Sequence, residues 1–275
     1  MRRFHFHRWF AILVATLLAF LVAAPAAAAP NDLSGAIAAV EPSVVRIDTT
    51  VDYQHVMGTG TGIVLDPNGQ VLTNYHVIQG ADTINAMVGG RPFAADIVGF
   101  DRRRDIAVIQ LRGAGGLPVT PLGDSAQLSI GDPVVALGNA RGTGAPLTQE
   151  TGTISAFGRT ISAADELTGS SNQMTGLFEI AAPVRAGDSG GPVVNGAGQV
   201  VGITTAASVN FRMGPGGEGF AIPINDALAI ANQIRAASPS DTGHIGPPTQ
   251  LGGGVITAEQ HEAFPRVIVH EGLPG

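Results

Sequence analysis

The chain is 275 residues long, carries a formal net charge of −7 and contains no cysteine. Its acidic balance offers no footprint for nucleic acid, and the missing cysteines exclude disulfides, thiolate zinc sites and a cysteine nucleophile together. Neither a histidine pair at helical i, i+4 spacing nor an Asp-rich loop suggests a metal, so no metal and no cofactor are expected.

Residues 1–28 read as a signal peptide. Arg2, Arg3 and Arg8 precede an almost wholly apolar run from Trp9 to Ala24, and Ala26-Ala27-Ala28 supplies the small residues of a cleavage site. The apolar run is shorter than the roughly 20 residues of a spanning helix. An uncleaved membrane anchor is the alternative. Cleavage removes three arginines and no acidic residue, taking the formal charge of −7 to −10. The expected location is secreted or extracytoplasmic, with membrane contact only if the leader is kept. An exported chain without disulfides must be held by its core, and roughly 200 ordered residues are enough for one.

The mature chain begins with a helix predicted over 31–40 and ended by Pro42. Short Val/Ile-rich strands are predicted at 44–51, 60–65, 70–74, 94–99, 106–111, 133–137, 150–156, 178–182, 192–195 and 199–205. Turns such as Asp66-Pro67-Asn68-Gly69 and Asn195-Gly196-Ala197-Gly198 separate them. Strands this short and this regularly punctuated point to a barrel or sandwich, an all-β fold. A second helix is expected over 225–237, with Asn225 as its cap and Leu228, Ile230, Ala231 and Ile234 on its buried side. From 238 to 248 the composition turns to Ser, Pro, Gly and Thr, as in a linker.

Three stretches carry chemistry. Among the histidines outside the leader, only His76 follows an apolar strand pattern, Gly69 to Ile78, which can hold its ring rigidly at a cleft. The segment Asp101-Arg102-Arg103-Arg104-Asp105-Ile106-Ala107-Val108-Ile109 offers two carboxylates. Asp105 abuts a buried strand and can orient an imidazole through its Nδ1–H, whereas Asp101, beside three arginines, reads as a solvated ion-pair partner. In Ala186-Gly187-Asp188-Ser189-Gly190-Gly191-Pro192, a serine lies among glycines that leave its hydroxyl uncrowded. The N–H groups of Gly187 and Ser189 can converge on an oxyanion. The order His, Asp, Ser is that of chymotrypsin-type hydrolases.

Thr73-Asn74-Tyr75-His76-Val77, Asp101 to Ile109 and Gly187 to Pro192 together resemble the catalytic signatures of the HtrA family of serine proteases. Gly60-Thr61-Gly62-Ile63-Val64 and Gly219-Phe220-Ala221-Ile222-Pro223-Ile224 are further matches, and the likeness is greatest to the secreted PepA-like branch. It implies a trypsin-like double six-stranded antiparallel β-barrel over 29–237, with a His76-Asp105-Ser189 triad in the cleft and protein or peptide substrates. Asp188 stands where most relatives have Asn, and the sequence names no partner for it. The S1 pocket would be walled by Pro183, Val184, Thr205, Ala206 and Ala207, suiting small-to-medium aliphatic P1 residues. Asn139 to Gly144 resembles a regulatory loop of the family. Residues 249–275 resemble the first part of a PDZ domain, too short to close that fold, with an unrelated Gly-rich tail as the alternative. A catalytically idle module and an esterase are the competing classes. All three triad residues are present against the first, and strand residues follow the serine against the second.

Overall fold

The computed structural model describes residues 32–51, 56–142, 144–164, 171–205, 218–237 and 243–246. Helix α1 (Ser34–Val40) runs into a 3₁₀ turn, Glu41–Ser43, and then into strand β1 (Val44–Val51). The α-helix ends at Val40, as expected ahead of Pro42, whose fixed φ suits the first turn of the 3₁₀ segment that follows. Strands β2 (Val56–Val64), β3 (Gln70–Thr73), β4 (Thr83–Val88), β5 (Arg91–Asp101) and β6 (Ile106–Leu111) follow. They are ordered β5-β4-β1-β2-β3-β6, and pairing of β5 with β6 closes an antiparallel six-stranded barrel. A one-turn helix, α2 (Tyr75–Ile78), interrupts it after β3.

The second barrel is built from β7 (Pro133–Gly138), β8 (Thr148–Ala164), β9 (Ser171–Ile180), β10 (Pro192–Asn195), β11 (Val200–Thr205) and β12 (Gly219–Pro223). Its closed order is β10-β11-β12-β9-β8-β7. Helix α3 (Ile224–Arg235) then returns toward the first barrel and buries Ile224, Ala227, Ile230, Ala231 and Ile234. Asn225 does not cap it. The helix begins one residue earlier at Ile224, and the Asn225 side chain donates to Asp124 Oδ1 at 2.7 Å. Strand β13 (Gly243–Ile245), inside the segment read as a linker, pairs with β5 and stacks His244 on Phe100 at 4.9 Å between ring centroids.

Three apolar clusters hold this arrangement. Val45, Ile47, Val71, Ile109 and Leu111 fill the first barrel, and Val134, Ile154, Phe178, Ile180 and Val193 fill the second. The third lies between them: Val44, Ile63, Leu72 and Ile106 from one barrel meet Val135, Leu137, Val194 and Ile203 from the other, under α1 and α3. Each fully buried aliphatic side chain contributes on the order of 1.5–3 kcal/mol, so this third cluster is what fixes the cleft without disulfides. The leader and the segment 249–275 lie outside the described residues. Among the described residues no helix is long and apolar enough to cross a membrane.

Candidate active site

His76 sits on α2, not at a strand end: β3 stops at Thr73, and an extended Asn74 turns the chain into the helix. Asn74 does not cap α2 with its side chain; its Nδ2 donates to the Asp105 carbonyl at 2.8 Å, tying the Asp105 backbone to the residue two before His76. The Asp105 carboxylate meets His76 twice. Nδ1 lies 2.8 Å from Oδ2, and the His76 backbone N–H donates to Oδ1 at 3.0 Å. Asp105 holds φ +54, a left-handed conformation that Asp tolerates better than most residues. The turn presenting it is fixed from both ends. Asp101 is buried, not solvated as the charge pattern suggested, and accepts from the Arg104 N–H at 2.9 Å and Nε at 2.8 Å. Arg102 lies over the Tyr75 and Phe100 rings, 5.7 and 5.4 Å from their centroids.

Burial disfavours the charged imidazole, but the charge and hydrogen bond of Asp105 outweigh it and raise the His76 pKa above its ordinary value. The contribution of this pairing to stability is therefore complete below the unfolded value of about 6.5 and fades as pH rises through the raised one. Nε2 is buried and makes no hydrogen bond, to Ser189 Oγ or to any other described atom. Bonds of this kind are often long in free enzymes and tighten when substrate binds.

The serine loop comes from the second barrel and is fastened to the first. The Thr61 N–H of β2 donates to the Ser189 carbonyl at 2.8 Å, and Thr61 Oγ1 donates to the Gly187 carbonyl at 2.7 Å. Gly190 lies on Thr61 and Thr73, and Thr73 is three residues before His76. Thr205, at the end of β11, donates from Oγ1 to Asp105 Oδ2 at 3.3 Å across 100 residues of sequence. The serine loop, the histidine turn and the carboxylate are thus drawn to one seam between the barrels.

Asp188 finds its partners nearby. The Arg185 N–H donates to Oδ2 at 3.0 Å, and the Ala140 N–H to Oδ1 at 3.3 Å, with the Thr148 hydroxyl also on Oδ1. Burial still pushes its carboxyl above the usual carboxylate range, against the pull of these donors and of the Arg185 charge. Arg185 itself points outward and pairs with Glu150 at 3.7 Å. Of the residues assigned to the S1 wall, Pro183 is half-buried, and Val184 packs into the second barrel's core with its Cγ2 against Gly219. Thr205 spends its hydroxyl on Asp105, a role the sequence reading did not contain, and Ala206 and Ala207 lie outside the described residues. Among the described residues no group of three or more His, Asp or Glu side chains could hold a metal ion.

Two six-stranded barrels with a His–Asp pair on one and a Gly-Asp-Ser-Gly-Gly loop on the other define the trypsin-like class. A family model described as trypsin-like peptidase domain matches residues 60–203. Serine protease HhoA of Synechocystis, named as putative, is 36% identical over 195 residues, covering 70% of this chain and 47% of that protein. The serine endoprotease DegS of Escherichia coli K12 is 34% identical over 242 residues, covering 82% and 66%. A solved structure of the HtrA-type protease AlgW with tripeptide superimposes with a TM-score of 0.62 at 31% identity, covering 74% of this chain and 64% of that one. The chain belongs to the trypsin-like peptidase family, within its HtrA serine proteases. It spans about half the length of several curated relatives that it matches.

Proposed function

We propose that the protein is an exported serine endopeptidase acting through His76, Asp105 and Ser189. The observation that carries this reading is the His76–Asp105 pair, 2.8 Å between Nδ1 and Oδ2, on the seam to which the Ser189 loop is fastened. Asp105 holds the imidazole with Nδ1 protonated, so Nε2 keeps the lone pair needed to take a proton. Ser189 Oγ attacks the scissile carbonyl carbon while Nε2 accepts the hydroxyl proton. The N–H groups of Gly187 and Ser189 hold the oxyanion, and the imidazolium returns the proton to the leaving amine. Water then hydrolyses the acyl-enzyme by the same steps in reverse. The leader over 1–28, and a 38%-identical Haemophilus influenzae relative named as a probable periplasmic serine protease, support an extracytoplasmic site of action.

The pocket reading rests on Pro183 and Val184, which bring no carboxylate to pair with a basic P1 side chain. Peptides with Val, Ala or Leu at P1 are expected to be cleaved well and those with Lys or Arg poorly, a choice worth roughly 1–3 kcal/mol per methylene fitted. Casein digestion followed by mass spectrometry of the new termini, together with a P1-varied peptide library, tests this. A Lys or Arg preference refutes the pocket, and hydrolysis of esters without peptides refutes the endopeptidase.

The pH profile gives a separate test. Because His76 must be neutral to act and its pKa is raised, kcat/KM should climb with pH through a midpoint above the ordinary ~6.5. Asp105→Asn should move that midpoint down, since it removes the charge responsible for the raise. A midpoint unmoved by that change would separate the titrating group from Asp105.

A further inference from the structure

Side chains alternate along β1, so Val45 and Ile47 enter the first barrel's core while Val44 joins the cluster between the barrels. Arg46 shares the side of Val44 and reaches across to the β7–β8 connection of the second barrel. Its Nη1 donates to the Ala145 carbonyl at 2.5 Å and to Asn139 Oδ1 at 3.3 Å. One cation therefore holds the connection near both of its ends. Asn139, buried, is gripped from a second direction by Thr59, whose Oγ1 accepts from Nδ2 at 2.8 Å.

That connection lies directly on the serine loop. The Asn139 N–H donates to Thr61 Oγ1 at 3.0 Å and to the Gly187 carbonyl at 3.3 Å, and the Ala140 N–H donates to Asp188 Oδ1 at 3.3 Å. Gly187, at φ +93, passes so close that a Cβ there would stand 2.7 Å from Ala140 Cα. Neither the three catalytic signatures nor the two flanking motifs include Arg46.

We propose that Arg46 is a positioning residue, fastening the β7–β8 connection so that Asn139 and Ala140 hold the Gly187 carbonyl and the Asp188 carboxylate, and with them the serine loop, in place for oxyanion binding. The inference rests on the endopeptidase reading of this site. Without the guanidinium, Ala145 O and Asn139 Oδ1 lose a charged donor, and the connection can lift from the serine loop. The transition state would suffer more than ground-state binding. Arg46 also borders an open cavity of about 350 Å³ lined by Glu41, Pro42, Met87 and Leu147, so a small cation can reach the position it would vacate.

The test uses the full chain with Arg46→Ala and Arg46→Lys. Direct loss of an oxyanion donor costs about 10²–10³ in kcat, so a residue acting through the loop should cost about 10–100-fold, with KM changed less than about twofold. Arg46→Lys should recover part of kcat, and millimolar guanidinium should partly rescue Arg46→Ala. Amide exchange in Arg46→Ala should quicken at 139–145 and 186–190 and stay unchanged in the β1–β6 core. A wild-type kcat for Arg46→Ala overturns the proposal. So does a loss that neither lysine nor guanidinium restores, accompanied by faster exchange through both barrels. If the unsubstituted protein hydrolyses no peptide, it is the endopeptidase reading that fails, and the exchange comparison still decides whether Arg46 couples the two loops.

Discussion

Ser189→Ala and His76→Ala are each expected to lower kcat about 10⁶-fold, and Asp105→Asn about 10⁴-fold, with the protein folded in every case. Asn at 105 is the informative change. It keeps the left-handed conformation at φ +54, which Asn also tolerates, and it can still accept the His76 N–H. What it removes is the charge that raises the His76 pKa and the second carboxylate oxygen that holds Nδ1 protonated. Asp101→Asn should act differently. Its carboxylate binds Arg104, and it is Asp105 whose charge acts on His76, so the expected result is a lowered unfolding temperature with a kcat close to that of the unsubstituted protein. Turnover of a small peptide amide per mole of folded protein measures the first effect, and thermal unfolding followed by circular dichroism measures the second. A crippled Asp101→Asn beside a nearly active Asp105→Asn would reverse the carboxylate assignment.

That His76 and Asp105 would pair, and that the Ser189 loop would lie on the same seam, could be read because each comes from a short contiguous stretch. His76, Asp105 and Ser189 each sit next to an apolar strand and a turn signal that a reader can weigh locally. The strands that escaped the reading failed for local reasons too. In β4, Thr83-Ile84-Asn85-Ala86-Met87-Val88 does alternate in burial, but Asn85 and Ala86 at its middle have little β propensity. In β12, Gly219 and Pro223 bound a five-residue strand and leave it little strand pattern of its own. The remaining misses are long-range. Nothing near Thr205 announces that its hydroxyl reaches a carboxylate 100 residues earlier, and nothing near Arg46 announces Asn139. The burial of Asp101 was misread for a similar reason: three arginines follow it, yet only the fold decides which of them turns back to neutralise it.

Gly190→Ala is expected to lower kcat about 10²–10³-fold, the scale of losing one oxyanion donor, and to destabilise the fold as well. The residue holds φ +84, where a Cβ costs about 1–2 kcal/mol from backbone sterics alone. Space makes the case stronger, because that Cβ would overlap the Thr61 carbonyl oxygen and Thr73 Oγ1. Backbone cannot step aside as a flexible side chain would. Relief requires the serine loop to lift from β2, which breaks the Thr61 N–H bond to the Ser189 carbonyl and the Gly190 N–H bond to Thr204. The loop would then carry its nucleophile away from the histidine turn that Thr73 leads into. Gly196→Ala serves as the control: it lies in another turn, with the nearest atom 4.0 Å from where its Cβ would be. A Gly-to-Ala change that the backbone accommodates stabilises by about 0.4–1 kcal/mol through the unfolded state. Urea unfolding and kcat measured on both variants decide the matter. Wild-type turnover in Gly190→Ala would mean that the serine loop need not stay clasped to the first barrel for catalysis.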